Sequence, residues 1–337
     1  MEQDIFKMGK KTLFVLAMAL LAFICTIKNA AAVESPEADY ERYYPKYVDS
    51  KEPLSTIKLK DMREFNAAKL SLQAYSISNP VTIQYYINIR HQLDIYSMNP
   101  IDKLKPVIFF IHSGDEDKRI VLYAIPSWLR LGYTVVSINH RSVPENSFPE
   151  MVEDCNMALQ WVMDHIQDYG GDPDRIAVTG TSCGAHLAAL LVTDTASQKK
   201  YGIDITKVKC WFPMSGFYDM DLKENLLSPT IAKYIEWICV PSKQAASPAA
   251  LATGKEPPCL IIHGGDDWCV PKTNAVSLYN RLNKETTTLA ILKGYMHANV
   301  FHSYIYPDHE PAKLIKNFLA IHLPTKQNPK PENGNKK

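Results

Sequence analysis

Glycine is sparse, 14 residues in 337, and the 22 prolines follow no period, so neither a collagen-like nor a low-complexity chain fits. No repeat of roughly 20–50 residues is visible, which sets aside solenoids and propellers. Neither sign of charge is in excess: 37 Lys and Arg stand against 36 Asp and Glu. No basic stripe interleaves with aromatic residues, so a nucleic-acid partner is not expected. The seven cysteines form no C-x-x-C pair and the histidines do not cluster, so neither a metal nor another cofactor is expected. The leading apolar run, Thr12–Ile27, has 16 residues, short of the roughly 20 that a membrane span needs. What remains is ordinary globular composition, 46% hydrophobic and 22% charged. The length suits one large α/β domain of about 250–300 residues with appendages, or two small domains.

Lys7, Lys10 and Lys11 precede the apolar run, and Ala30-Ala31-Ala32 follows it. A positive segment, a short apolar core and small residues at its end describe a secretory leader. Residues 1–32 are therefore read as a cleaved signal peptide, and the mature protein as secreted or periplasmic without a membrane span. Residues 33–75 are polar with weak periodicity and are read as an N-terminal arm. The tail 325–337 has no apolar residue besides its prolines and is expected to be disordered. Export permits disulfides, and Cys239–Cys269 is the pairing considered; Cys210 and Cys259 lie in apolar runs and read as buried small hydrophobes.

Between these ends the pattern is one of short apolar runs alternating with amphipathic stretches. Strands are expected at Val107–Ile111, Tyr133–Ile138, Ile176–Val178, Val208–Phe212, Cys259–Ile262 and Leu289–Leu292. Helices are expected near 119–131, 149–168, 183–193, 272–283 and 311–322. Near-continuous apolar strands separated by helices imply a parallel sheet covered on both faces. Residues 220–256 break the rhythm and read as a cap insertion over the carboxyl edge of the sheet, where open α/β folds bind ligands. Tyr234 and Trp237 within it suit a pocket lining, and suit simple packing equally well.

Gly180-Thr181-Ser182-Cys183-Gly184 stands between the strand Arg175–Val178 and the helix-forming run Ala185–Leu191. G-x-S-x-G in that setting places a serine on a sharp strand-to-helix turn, exposed at the sheet edge and close to a helix N-terminus. A serine hydroxyl is a poor nucleophile and needs a base, itself oriented by a carboxylate. In such a sheet the partners follow in the order acid, then histidine, each after a later strand. After Cys259–Ile262 comes His263-Gly264-Gly265-Asp266-Asp267-Trp268-Cys269-Val270-Pro271, where Asp267 is preferred to Asp266 as the acid. After the next strand comes Lys293-Gly294-Tyr295-Met296-His297, with His297 preferred to His302 as the base.

Residues Asp172–Ala189 resemble the nucleophile region of α/β-hydrolase esterases, in particular the hormone-sensitive-lipase-like and bacterial feruloyl-esterase-like families. Asn139–Pro149 is similar to their Y-R-L-x-P-E-x-x-F-P segment, and Met214-Ser215-Gly216-Phe217-Tyr218-Asp219 to their S-G-x-Y-D stretch. His263–Pro271 is similar to their H-G-x-x-D-x-x-V-P loop, whose aspartate falls on Asp267. The resemblance runs from about Leu93 to Leu323. It implies an α/β-hydrolase domain over residues 76–324, with a mostly parallel eight-stranded sheet, helices on both faces and no cofactor.

One departure stands out. Those families carry an H-G-G-G-W-type loop whose backbone N–H groups form half of an oxyanion hole; this chain has His112-Ser113-Gly114-Asp115-Glu116-Asp117-Lys118. Either Ser113-Gly114-Asp115 replaces the glycines directly, or several residues are deleted and Ser-Gly-Asp matches a later S-G-D-K. In both cases the expected oxyanion donors are the N–H of Cys183 and one or two from Ser113, Gly114 and Asp115. The expected function is a serine carboxylic ester hydrolase acting through an acyl-enzyme on small-molecule or polysaccharide-linked esters. An amide hydrolase of arylformamidase or peptidase type shares the triad, and a non-catalytic binding protein shares the fold.

Overall fold

The computed structural model describes residues 80–331 apart from 99–102, 114–116, 119–120, 122–123, 144, 224, 226–228, 239–241 and 303–308. The leader and arm expected over residues 1–75, Cys239 of the considered disulfide, and residues 332–337 of the tail lie outside the described residues.

In chain order the elements are β1 (Val81–Gln84), β2 (Gln92–Tyr96), β3 (Lys105–Ile111), α1 (Ile125–Arg130), β4 (Thr134–Ile138), α2 (Glu150–His165), β5 (Gly171–Thr181) and α3 (Cys183–Thr193). Then follow α4 (Thr195–Tyr201), β6 (Val208–Met214), α5 (Pro229–Ile238), β7 (Cys259–Gly264), α6 (Thr273–Arg281), β8 (Thr287–Leu292), α7 (His297–His302) and α8 (Glu310–His322). The strands pair in the order β1-β2-β4-β3-β5-β6-β7-β8. The pairs β1/β2 and β2/β4 are antiparallel and the rest parallel. This is the α/β-hydrolase fold.

The strands are apolar because both faces are covered. Val107, Phe109, Ile111, Val136 and Val178 pack beneath α2, α3 and α6, while Ile108, Phe110, Val135, Ala177 and Phe212 pack beneath α1 and α8. Each fully buried side chain of this kind contributes roughly 1.5–3 kcal/mol. The chain lays β4 on one side of β3 and β5 on the other, and open α/β sheets bind ligands at such a reversal, beyond the carboxyl ends of the strands.

Several segments depart from the periodicity reading. The two antiparallel strands β1 and β2 have no continuous apolar run to announce them, and β1, at the edge, is largely exposed. Of the helix expected near 119–131, the described part is α1, with Pro126 in its first turn, where a missing N–H costs nothing. The polar helix α4 was not expected. Asp194 caps it by accepting the N–H groups of Ala196 and Ser197, and Gly202 ends it at φ +69°. The expected disorder of the tail is corrected for its described part. Asn328 is buried, and its side-chain amide donates to Lys316 O (3.0 Å) and the Tyr133 hydroxyl (3.2 Å).

The insertion between β6 and β7 contains α5 and a helical turn at Pro248–Leu251. Asn274 of α6 ties down its root: Oδ1 accepts the N–H groups of Tyr218 (3.0 Å) and Asp219 (3.2 Å), and Nδ2 donates to Asn225 Oδ1 (2.7 Å). Tyr234 is buried against Phe217, ring centroids 5.1 Å apart, so it packs; the side chain of Trp237 is outside the described set.

Candidate active site

Ser182 stands alone between the end of β5 and the start of α3, at φ +53° and ψ −116°. A side chain is strained in that region, and among the described non-glycine residues only Ser182 and Ser215 have positive φ. The turn is held by Ser182 N–H donating to Met214 O (2.9 Å) and by His186 N–H donating to Ser182 O (3.1 Å). It also requires both glycines of the motif. A Cβ on Gly180 would lie 2.3 Å from Gly184 O, and one on Gly184 would lie 2.2 Å from Ile111 O and 2.4 Å from His112 O. The absence of two methyl groups lets this turn sit directly against the end of β3.

The loops after β7 and β8 bring two further side chains to Ser182. His297 Nε2 is 2.9 Å from Ser182 Oγ, and His297 Nδ1 is 2.8 Å from Asp267 Oδ2. An ionised carboxylate only accepts, so the Nδ1 of a neutral His297 carries the proton and Nε2 accepts from the serine hydroxyl. Asp267 Oδ1 accepts the N–H groups of Cys269 (2.9 Å) and Val270 (2.8 Å). Burial pushes the Asp267 carboxyl up, but His297, His263 and the Val270 N–H together outweigh it and hold the group below the usual carboxylate range. Asp266 is turned elsewhere. Its Oδ2 accepts Gly294 N–H (2.9 Å) and its own N–H donates to Tyr295 O (3.0 Å), latching the acid loop to the loop that carries His297. The side chain of His302 is outside the described set.

Cys183 occupies the first position of the 11-residue α3, where the helix itself offers its N–H no acceptor and the helix dipole is positive. Just beyond β3, Ser113 is half-buried, while Gly114 and Asp115 lie outside the described residues. The segment around Ser113 is fixed at both ends by residues that motif reading did not assign. His112 is buried, bonds through Nδ1 to Ser113 O (3.0 Å), and stacks on His140 with centroids 4.3 Å apart. Arg90 approaches His112 Nε2 (3.5 Å) and donates to His140 O (3.1 Å). Burial pushes both imidazoles well down or down, so each is neutral. At the far end Lys118 N–H donates to Asn139 Oδ1 (2.6 Å), Lys118 O accepts from Ser137 Oγ (2.7 Å), and Lys118 Nζ meets Asp94 Oδ1 at 2.6 Å. His112 and Asn139 could have been found from their places just beyond central strands at the switch point. Arg141 pairs with buried Asp154 (2.7 Å) and with Glu150 (3.4 Å). His186 is buried and donates through Nε2 to Ala246 O (2.7 Å), a packed role.

Among the described residues no group of His, Cys, Asp and Glu side chains is disposed to hold a metal ion. No described helix is long and apolar enough to cross a membrane.

The profile of the BD-FAE family matches residues 93–282, more than half of the chain. The chain belongs to the BD-FAE family. It is 32% identical over 244 residues to a probable carboxylic ester hydrolase, LipM, of Mycobacterium tuberculosis, covering 66% of this chain and 56% of that protein. It is 35% identical over 185 residues to esterase LipQ of the same organism, covering 50% and 44%. The chain thus spans about half the length of these relatives. Among solved structures, Thermogutta terrifontis esterase 2 in its sarin-phosphonylated form superposes with a TM-score of 0.62 at 19% identity, covering 72% of this chain and 95% of that one. A truncated carbohydrate esterase from gut microbiota superposes at 0.58 with 23% identity, covering 66% and 90%. Both share the fold, and the BD-FAE membership agrees with the esterase resemblance carried by Asp172–Ala189 and His263–Pro271.

Proposed function

We propose that this BD-FAE protein is a carboxylic ester hydrolase in which Ser182 is the nucleophile, His297 the general base and acid, and Asp267 the group that orients the imidazole. The hydrogen-bonded series Ser182 Oγ, His297 Nε2 and Nδ1, Asp267 Oδ2 carries this reading, at 2.9 and 2.8 Å. His297 takes the hydroxyl proton as Oγ attacks the ester carbonyl, and the carbonyl oxygen becomes an oxyanion. The N–H of Cys183 and one or two from among Ser113, Gly114 and Asp115 would hold it, each such donor contributing roughly 3–4 kcal/mol. His297 then protonates the departing alcohol. Water, deprotonated by the same imidazole, attacks the acyl-enzyme and releases the acid. Asp267 stays ionised throughout and stabilises the imidazolium.

The relatives named as a carboxylic ester hydrolase and an esterase support ester chemistry over amide chemistry and over binding without turnover. The positive segment, apolar run and Ala30-Ala31-Ala32 support action after export, on small-molecule or polysaccharide-linked esters outside the cytoplasm. Hydrolysis of p-nitrophenyl acetate, butyrate and octanoate by the purified protein, beside Ser182→Ala, tests the reading. Turnover that depends on Ser182 is expected, and its chain-length profile sizes the acyl pocket. A Ser182→Ala protein hydrolysing these esters at the wild-type rate would refute it.

A further inference from the structure

Asp267 has a second histidine beside it. His263, near the end of β7, is wholly buried and lies off the proton path between Ser182 and His297. Val270 O is 2.9 Å from its Nε2, and a carbonyl only accepts, so Nε2 carries the proton. The same nitrogen lies 3.4 Å from Asp267 Oδ2, the oxygen that receives His297 Nδ1. The other ring nitrogen, Nδ1, is buried with no hydrogen-bond partner. Burial pushes this imidazole below its usual range, so the ring is neutral.

An imidazole with one unsatisfied nitrogen destabilises a strand whose preceding residues are Ile261 and Ile262. Its N–H, however, bonds the far side of the acid loop at Val270, and the same nitrogen stands 3.4 Å from the carboxylate inside that loop. We infer that His263 is a positioning residue of this site: it clips the acid loop shut and takes up part of the charge on Asp267 Oδ2 that would otherwise act on His297 alone. The inference rests on the proposed roles of Ser182, His297 and Asp267.

The other groups around the carboxylate are accounted for. Lys272, at the start of α6, reaches Gly265 O (3.2 Å), and the Tyr218 hydroxyl accepts Gly216 N–H (3.1 Å). Asp266 is taken up by Gly294. Removing the His263 imidazole takes its N–H dipole away from the neighbourhood of Oδ2, 3.4 Å distant, while His297 still bonds Oδ2 and Cys269 and Val270 still hold Oδ1. The carboxylate then favours the imidazolium more strongly, so the acid limb of the rate profile moves to higher pH. The loosened loop lowers kcat.

The test compares His263→Phe, which removes the donor, with His263→Gln, whose amide can serve the same acceptors. Rates on p-nitrophenyl butyrate are followed against pH, with Ser182→Ala as background. His263→Phe is expected to lower kcat about tenfold with KM within about twofold of wild type, and to raise the acid limb by about half a pH unit. His263→Gln is expected to recover both. A folded His263→Phe enzyme with wild-type kcat and an unmoved acid limb, alongside Ser182-dependent turnover, overturns the role of His263 and leaves the proposed function intact. Absence of Ser182-dependent turnover in the wild type removes the proposed function and this inference with it. Should His263→Phe fail to fold, NMR of isotope-labelled histidine in the wild type decides. A proton on His263 Nε2 whose signal responds to the titration of His297 supports the role, and a proton on Nδ1 or an unresponsive signal overturns it.

Discussion

Lys118→Met tests how the segment that begins at Ser113 is anchored. Lys118 Nζ lies 2.6 Å from Asp94 Oδ1, with side chains 10% and 3% exposed, so the pair is desolvated. Removing the ammonium leaves the Asp94 carboxylate with two hydroxyl partners, Thr82 at 2.6 Å and Tyr96 at 3.5 Å. Breaking a buried pair costs about 3–5 kcal/mol, and the surviving hydroxyls place this case near 3. For a domain of this size that lowers the thermal midpoint by roughly 6–12 °C. The backbone bonds of residue 118 to Asn139 and Ser137 survive the substitution, but the Nζ–Asp94 contact that ties this end of the segment to β2 is lost, so kcat for p-nitrophenyl butyrate is expected to fall about tenfold at permissive temperature. The double variant Lys118→Met, Asp94→Asn removes the stranded charge and is expected to recover most of the stability without recovering kcat. Calorimetry with steady-state kinetics on these two variants, on Asp94→Asn alone and on the wild type closes the cycle. A Lys118→Met protein melting within about 1 °C of wild type, or a double variant no more stable than the single, would refute the reasoning.

Other outcomes follow from the same geometry. Ser182→Gly and Ser182→Ala both abolish turnover, but the glycine variant is expected to be the more stable by about 1 kcal/mol in denaturant melts, because φ +53° strains alanine and not glycine. Asp267→Asn is expected to lower kcat about 10⁴-fold. Since the folded carboxyl lies below its ordinary range, Asp267 adds stability that is complete above that range and lost as pH falls through the folded value. The stability deficit of Asp267→Asn measured by urea melts should therefore be largest near neutrality and shrink below about pH 4. Burial pushes His186 down to about 4, so the unfolded chain binds a proton there that the folded protein excludes. Stability from this residue is complete above about pH 6.5 and falls by about 3 kcal/mol on the way down to pH 4, and His186→Gln should flatten that part of the profile.

The central strands could be read from the sequence because they are buried on both faces, which forces continuous runs such as Val107–Ile111 and Cys259–Ile262. Ser182 was legible for a local reason: the turn demands glycines at 180 and 184, and a helix must follow at once. Asp267 and His297 were legible through their order after β7 and β8. What stayed hidden depends on distant partners. Asp94 inside β2 looks like a solvated charge until Lys118 covers it from 24 residues away. His263 looks like part of a strand end until Val270 and Asp267 fold back onto it. Asn328 looks like disordered tail until Tyr133, 195 residues earlier, is beside it. Periodicity records which face is apolar, and it is silent about such pairings.

The strand order also sets a sequence of events. Ser182 follows the central strand β5, whereas Asp267 and His297 arrive on β7 and β8 at one edge of the sheet, and the Ser182–His297 bond joins residues 115 positions apart. Contacts over such separations carry the larger loop-closure cost and form late. In refolding, regained hydrolysis should consequently lag regained helical signal, and turnover would serve as a clock for the docking of the last two strands.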